Sequence, residues 1–293
     1  LLSADIIKKI KKIHIRTGRV VNTMMAGQYK SVFRGTGMEF EEVREYSPGD
    51  EVKNIDWKVS ARMGRPYVKL YREERELVVM LLVDLSASGG FGTTETTKRE
   101  MAAEVASILA FNAIRNNDKV GAILFTDQVE KYIPPQKGSA HVWRVIREVY
   151  TFTPERQKTD IAEAIAYLGR VCRKKTTSFI ISDFIAADYI RQLKTVSKKH
   201  EIIGVLLSDP GEFILPAAGI FSVKDLETGR SAVFDAADKR TQRFFTERKM
   251  HAYDESLNTL QSADIDCIEV NTADPVVDAL IKYFHFREKR KRR

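Results

Sequence analysis

Cysteine and histidine are scarce in this chain: two and five in 293 residues. Cys172 and Cys267 belong to no Cys-x-x-Cys pair, and the histidines are scattered. A zinc centre and a disulfide framework are therefore not indicated, and a reducing compartment, the cytoplasm, is the expected location. Long apolar runs are also missing. None approaches the roughly 20 residues that span a bilayer, and no secretory signal is visible. There is no internal repeat, and low complexity is confined to the C-terminal tail. The length suits one large α/β domain, or such a domain with a smaller companion.

The charge is unevenly placed. Residues 1–20 and residues 287–293 each carry +5, against +8 for the whole chain, so the stretch between them is net −2. Nucleic-acid binding needs basic groups clustered against phosphates. Here the excess sits only at the two ends, so no specific nucleic acid is expected as a partner, and nucleic-acid binding through the basic ends stands as an alternative function. Residues 3–15 place Ile6, Ile7, Ile10 and Ile13 at helical spacing with lysines between. This is a basic amphipathic helix, expected to dock on its own domain, with membrane-surface contact as the alternative.

The segment 27–74 alternates like strands around the turn Ser47-Pro48-Gly49-Asp50, which predicts a small β-rich subdomain. Gly35 and Gly37 lack the strand-to-helix setting and the Lys-Ser/Thr of a nucleotide loop. Asp56 and Trp57 read as packing groups. From Leu77 the texture changes to apolar runs alternating with amphipathic stretches. Helices are expected over 98–116, 142–150, 160–172, 189–199, 241–261 and 275–286. Strands are expected over 77–83, 119–126, 129–133, 178–181, 202–207 and 267–270, the second and third joined through Asp127-Gln128 as an antiparallel hairpin, with a further hairpin within 221–234. Such alternation predicts an α/β fold with a mostly parallel central sheet and helices on both faces. The organisation expected is 1–76 for the basic helix and β-rich part, 77–286 for the main domain, and 287–293 for a mobile basic tail.

The run Leu77-Val78-Val79-Met80-Leu81-Leu82-Val83 is too continuous for a strand with one wet face, so it reads as buried on both sides. Asp84-Leu85-Ser86-Ala87-Ser88 leaves its carboxyl end, where open α/β sheets place ligand sites. Thr159 lies just before a helix, and Asp183 ends a later strand. Two carboxylates and three hydroxyls, Asp84, Ser86, Ser88, Thr159 and Asp183, offer hard oxygen ligands that with water complete an octahedral shell for Mg²⁺. The weak hydroxyl donors leave the ion able to accept one carboxylate from a protein partner. Asp160 with Glu163 reads as a helix cap, and Asp209 as structural.

This pattern resembles a von Willebrand factor A domain with a metal-ion-dependent adhesion site. Asp84, Ser86 and Ser88 match the first motif, Thr159 the second and Asp183 the third. The blocks Gly37-Met38-Glu39-Phe40, Arg44-Glu45-Tyr46-Ser47-Pro48-Gly49-Asp50, Ile55-Asp56-Trp57, Ser60-Ala61-Arg62 and Glu73-Glu74-Arg75-Glu76 resemble the segment before the A-type core in a bacterial family of unknown function. That family is typically encoded beside MoxR-type AAA+ ATPases. The resemblance implies Mg²⁺ as the ion, with Mn²⁺ or Ca²⁺ as alternatives, and a non-enzymatic interaction module working with such an ATPase in protein assembly or maturation. Many relatives have Met after the second serine; here Gly89-Gly90-Phe91-Gly92 follows, which is expected to loosen the loop. Metal-dependent phosphoryl transfer is the enzyme alternative. Phosphatases of that type commonly use Asp-x-Asp, and the second position here is Ser86; no other nucleophile–base pair is apparent.

Overall fold

The computed structural model describes residues 37–74, 77–186, 188–216, 219–227 and 229–291. The basic helix expected over 3–15 lies outside them. The chain divides into two compact units, with the boundary between Leu77 and Val78.

In the first unit, β1 (Gly37–Glu45) and β2 (Tyr67–Glu74) form an antiparallel pair with a register shift between Phe40 and Glu42. Between them lies α1 (Trp57–Met63), whose N-cap is Asp56. The Asp56 carboxylate accepts from the Lys58 and Val59 amides, which satisfies donors that a helix start leaves unpaired. Asp56 is thus a cap, and Trp57 is not the packing group expected, since it is 68% exposed. Arg44 grips Asp50 through two bonds of 2.9 and 2.7 Å, fixing the turn after β1.

The second unit holds β3 (Val78–Asp84), α2 (Lys98–Arg115), β4 (Lys119–Phe125), β5 (Val129–Gln136), α3 (Ser139–Thr151), α4 (Ile161–Val171), β6 (Thr177–Ser182), α5 (Ile190–Val196) and β7 (Glu201–Ser208). Then follow β8 (Ile220–Lys224), β9 (Ser231–Asp235), α6 (Lys239–Ser262), β10 (Asp266–Asn271) and α7 (Val276–Lys291). Six strands form one sheet in the order β10-β7-β6-β3-β4-β5. All neighbours are parallel except β4 and β5, which form the expected hairpin. Counted within the sheet, the strand order is 3-2-1-4-5-6 with the third strand reversed.

β3 lies between β4 and β6, and Val79 to Val83 are wholly buried. Met80 and Leu82 pack on one face with Ile161, Ile165 and Leu168 of α4, Leu193 of α5 and Leu260 of α6. Side chains alternate across a strand, so Val79, Leu81 and Val83 serve the opposite face. There α2 packs against β3, β4, β6 and β7, and against α3 and α7. Burial on both faces explains the unbroken apolar run.

The C-terminal basic stretch departs from expectation. A run of charge with no apolar anchor reads as solvated, but α7 continues to Lys291. Arg287 is ion-paired with Glu201 and Asp266 at the amino ends of β7 and β10, and lies over the Tyr283 ring. Arg290 reaches Asp266 at 3.0 Å. Carboxylates from two distant strands supply the anchor that the local sequence lacks.

Candidate metal centre

Adjacent parallel strands bring the site together. Val83 pairs with Ile181 across β3 and β6, so Asp84 and Ser182-Asp183 leave the sheet side by side. Asp84 Oδ1 accepts from the Ser86 amide at 2.9 Å, closing a tight turn, and Oδ2 accepts from the Ser182 hydroxyl at 2.6 Å. The Ser86 and Ser88 hydroxyls are 3.0 Å apart. A short 3-10 turn, Ala87–Gly90, follows. The Ala87 amide donates to the Gln157 carbonyl and the Asp160 amide to the Thr126 carbonyl, both at 2.9 Å. These bonds hold the loop carrying Thr159 beside the first loop. Asp160 caps α4 by accepting from the Glu163 amide at 3.0 Å.

The glycines after Ser88 do not simply loosen the loop. A Cβ on Gly92 would lie 2.8 Å from the Thr96 carbonyl oxygen, so only glycine lets the chain pass this close before α2 begins. Thr97 then starts α2 with a full capping box to Glu100.

Asp84, Ser86, Ser88 and Asp183 line one cavity of about 10 Å³, the space of a single water or small ion. Asp84, Ser86 and Asp183 are buried. Thr159 lies beside the group: its hydroxyl donates to Glu227 Oε1 at 2.9 Å, and Ser88 and Asp183 are both near enough to act on the Glu227 carboxylate.

Lys98 was not foreseen in this site. It is almost wholly buried, and its Nζ donates to Asp183 Oδ2 at 2.7 Å and to Glu212 Oε1 at 2.6 Å. Burial opposes its charge, but the Asp183 and Glu212 carboxylates outweigh that and hold the ammonium above its ordinary pKa. Arg99 also lines the cavity, with its guanidinium donating to the Phe152 carbonyl. Asp84 remains poorly compensated. Burial and the nearby Asp183 carboxylate push its carboxyl up to about 7, against the opposing bonds from Ser182 and Ser86. Burial, with Asp183 close by, also raises Glu227.

These residues fit a small hard cation. The donors are carboxylate and hydroxyl oxygens, the cavity matches one ion, and the buried negative charge around Asp84 is the charge a divalent cation offsets. Among the described residues no group of three or more His, Cys, Asp and Glu side chains has metal-holding geometry. The candidate set therefore depends on its hydroxyls, which matches weak, water-retaining binding of Mg²⁺ more than tight binding of a soft metal.

The reversed third strand in a 3-2-1-4-5-6 sheet, with this loop at its carboxyl edge, defines a von Willebrand factor A-like domain. The chain belongs to the family described as protein of unknown function DUF58, whose model matches residues 42–254. Among its relatives, the uncharacterized protein Rv1480 of Mycobacterium tuberculosis is 30% identical over 223 residues, covering 75% of this chain and 70% of that protein. The uncharacterized protein YeaD of Bacillus subtilis is 33% identical over 108 residues, covering 36% and 25% respectively. A solved structure of similar fold is the conserved hypothetical protein BatB from Bacteroides thetaiotaomicron, with 16% identity, a TM-score of 0.49, and coverage of 73% of this chain and 99% of that one.

Sequence reasoning missed Ser182, Lys98, Glu212 and Glu227. Ser182 precedes Asp183 at the end of a buried strand, and that position was its only signal. Lys98 carried none, because a lysine at the start of a capped helix is ordinary.

Proposed function

We propose that this protein is a non-catalytic interaction module that holds Mg²⁺ through Asp84, Ser86 and Ser88, with Thr159 and Asp183 completing the set through water. The reading is supported chiefly by the Asp84 carboxylate, buried beside Asp183, bonded to the Ser182 hydroxyl and, among the described residues, in no ion pair. A bound Mg²⁺ would supply an electrophilic centre for one carboxylate of a protein partner. The chain's own residues set the terms of that contact. Ser182 and the Ser86 amide hold the Asp84 carboxylate in one orientation. Lys98, which lines the same cavity, pairs with Asp183, so the site keeps a low net charge once an ion is bound. Ser86 and Ser88 contribute neutral oxygens.

By family resemblance, the proposed partner is a MoxR-type AAA+ ATPase, with a role in assembling or maturing other proteins. Among the described residues no helix is long and apolar enough to cross a membrane, and we propose a cytoplasmic setting. The phosphoryl-transfer alternative gains no support from the site, where Ser86 occupies the position of a second acid/base carboxylate and bonds only Ser88 and its own turn. Capture of partners from native lysate in Mg²⁺ and then in EDTA tests the proposal. Retention that is the same in both, or unchanged by Asp84→Ala, would refute metal-dependent docking.

A further inference from the structure

Among the described residues, the hairpin of β8 and β9 stands apart from the six-stranded sheet and pairs only with itself. Its base is fixed: Ala236 is fully buried, Phe234 packs edge-on against Phe245 of α6, and Gln242 bonds the Ala236 carbonyl at 2.6 Å. Its strands are largely exposed, with Ile220 at 77% and Val233 at 70%. A two-stranded hairpin with so little buried surface is marginal by itself and opens at low cost. Glu227 lies in the connection between the two strands, half-buried, with its amide bonded to Asp225 Oδ1 at 2.9 Å. Its carboxylate is turned inward and accepts from the Thr159 hydroxyl at 2.9 Å, close to Ser88.

That placement is unusual for a hairpin-tip glutamate, which would ordinarily be solvated. Thr159 and Ser88 are two of the hydroxyls assigned to the ion, and Asp183, a third member of the set, is near enough to act on the Glu227 charge. The side chain therefore presents a carboxylate to a hydroxyl of the proposed set, the kind of group a partner would bring.

We propose that Glu227 is an internal ligand of this site: a tethered carboxylate that closes the docking position and that a partner's acidic residue must displace. The inference rests on the metal-site reading above and extends it to regulation. With an ion present, Glu227 completes the oxygen shell and the hairpin is clamped down. Release of Glu227 frees the hairpin and opens one coordination position. The module is then closed in its resting form, and partner binding is coupled to hairpin movement.

The experiment uses the full chain as wild type, Glu227→Gln, Glu227→Ala and Asp84→Ala, with Mn²⁺ alone as the probe. Mn²⁺ affinity is read from the free-ion electron paramagnetic resonance signal, and coordinated water from the proton relaxation of the bound ion. Loss of the Glu227 carboxylate is expected to weaken Mn²⁺ about tenfold or more, less in Glu227→Gln than in Glu227→Ala. Each ion bound by Glu227→Ala should relax water protons faster than in wild type, because exchangeable water replaces the lost ligand. Hydrogen exchange across residues 220–235 should slow on adding Mg²⁺ in wild type and not in Glu227→Ala. Equal affinity and equal relaxation in wild type and Glu227→Ala, with Asp84→Ala still losing the ion, would overturn the internal ligand while leaving the metal site standing. Failure of wild type itself to bind Mn²⁺ would overturn both.

Discussion

Two aspartates at the same edge of one sheet have opposite surroundings. Asp209 follows β7 and is fully buried. Its carboxylate accepts from the Thr93 amide at 3.0 Å, the Gly211 amide at 2.8 Å, and the hydroxyls of Thr93 and Thr272. Burial alone would raise its pKa, but the Thr272 and Thr93 bonds outweigh it and hold the carboxyl below the ordinary range. Asp84, two strands away, is also buried, accepts from one hydroxyl and one amide, and faces another carboxylate. A strand-end aspartate that serves the fold is surrounded by donors. One that is left short of donors, beside a second acid, supports the cation site proposed above. Glu212 links the two, bonding both the Asp209 amide and Lys98.

The largest effect that sharpens this contrast is at Lys98. Lys98→Ala leaves buried Asp183 and half-buried Glu212 without their ammonium, and is expected to destabilise the fold by about 3–5 kcal/mol in chemical denaturation. Part of that loss should return with millimolar Mg²⁺, because the ion replaces the missing positive charge. No recovery at any Mg²⁺ concentration would mean that Lys98 acts only as a structural pair.

Asp209→Ala comes next. It strands the Thr93 and Thr272 hydroxyls and two amides, at an expected cost of about 2–3 kcal/mol, unaffected by Mg²⁺. Its pH signature has a definite sign. The folded pKa lies below the unfolded value of about 3.9, so the stability from Asp209 is fully present above that value and is lost as pH falls through the acid range. Acid unfolding of Asp209→Asn should therefore begin from a less stable protein and show a shallower dependence below about pH 4. A variant as stable as wild type at pH 7 would remove Asp209 from the structural side of the comparison.

The smallest expected stability effect is at Asp84 itself. Without divalent ions, Asp84→Ala loses two hydrogen bonds but also relieves like-charge repulsion with Asp183, so the net change should be about 1 kcal/mol or less. Urea midpoints in EDTA check this. A loss comparable to that of Asp209→Ala would make Asp84 a structural residue.

The contrast between what was and was not legible in the sequence follows the same physics. The β3 run and the helices of the main domain could be read because burial imposes a local pattern on neighbouring residues. That Asp84, Ser86 and Ser88 lie together was readable because one loop carries all three. Lys98 was not, since its partners lie 85 and 114 positions away. Glu227 was visible only as part of a turn, because its bond to Thr159 spans 68 positions. The basic C-terminal stretch was misread for the same reason: its carboxylates are in β7 and β10. Trp57 was read as a packing residue from its type, yet it faces outward.

The central claim is that Asp84 and its neighbours hold a divalent cation in the native state. The direct test is thermal unfolding of wild type and Asp84→Ala across a titration with Mg²⁺ and Mn²⁺. A ligand that binds only the folded form stabilises it by about 2.7 kcal/mol at a hundredfold excess over its Kd. The account predicts a saturable rise in the wild-type melting temperature that is absent in Asp84→Ala. Equal rises in both proteins, or no rise in either at millimolar ion, would contradict it.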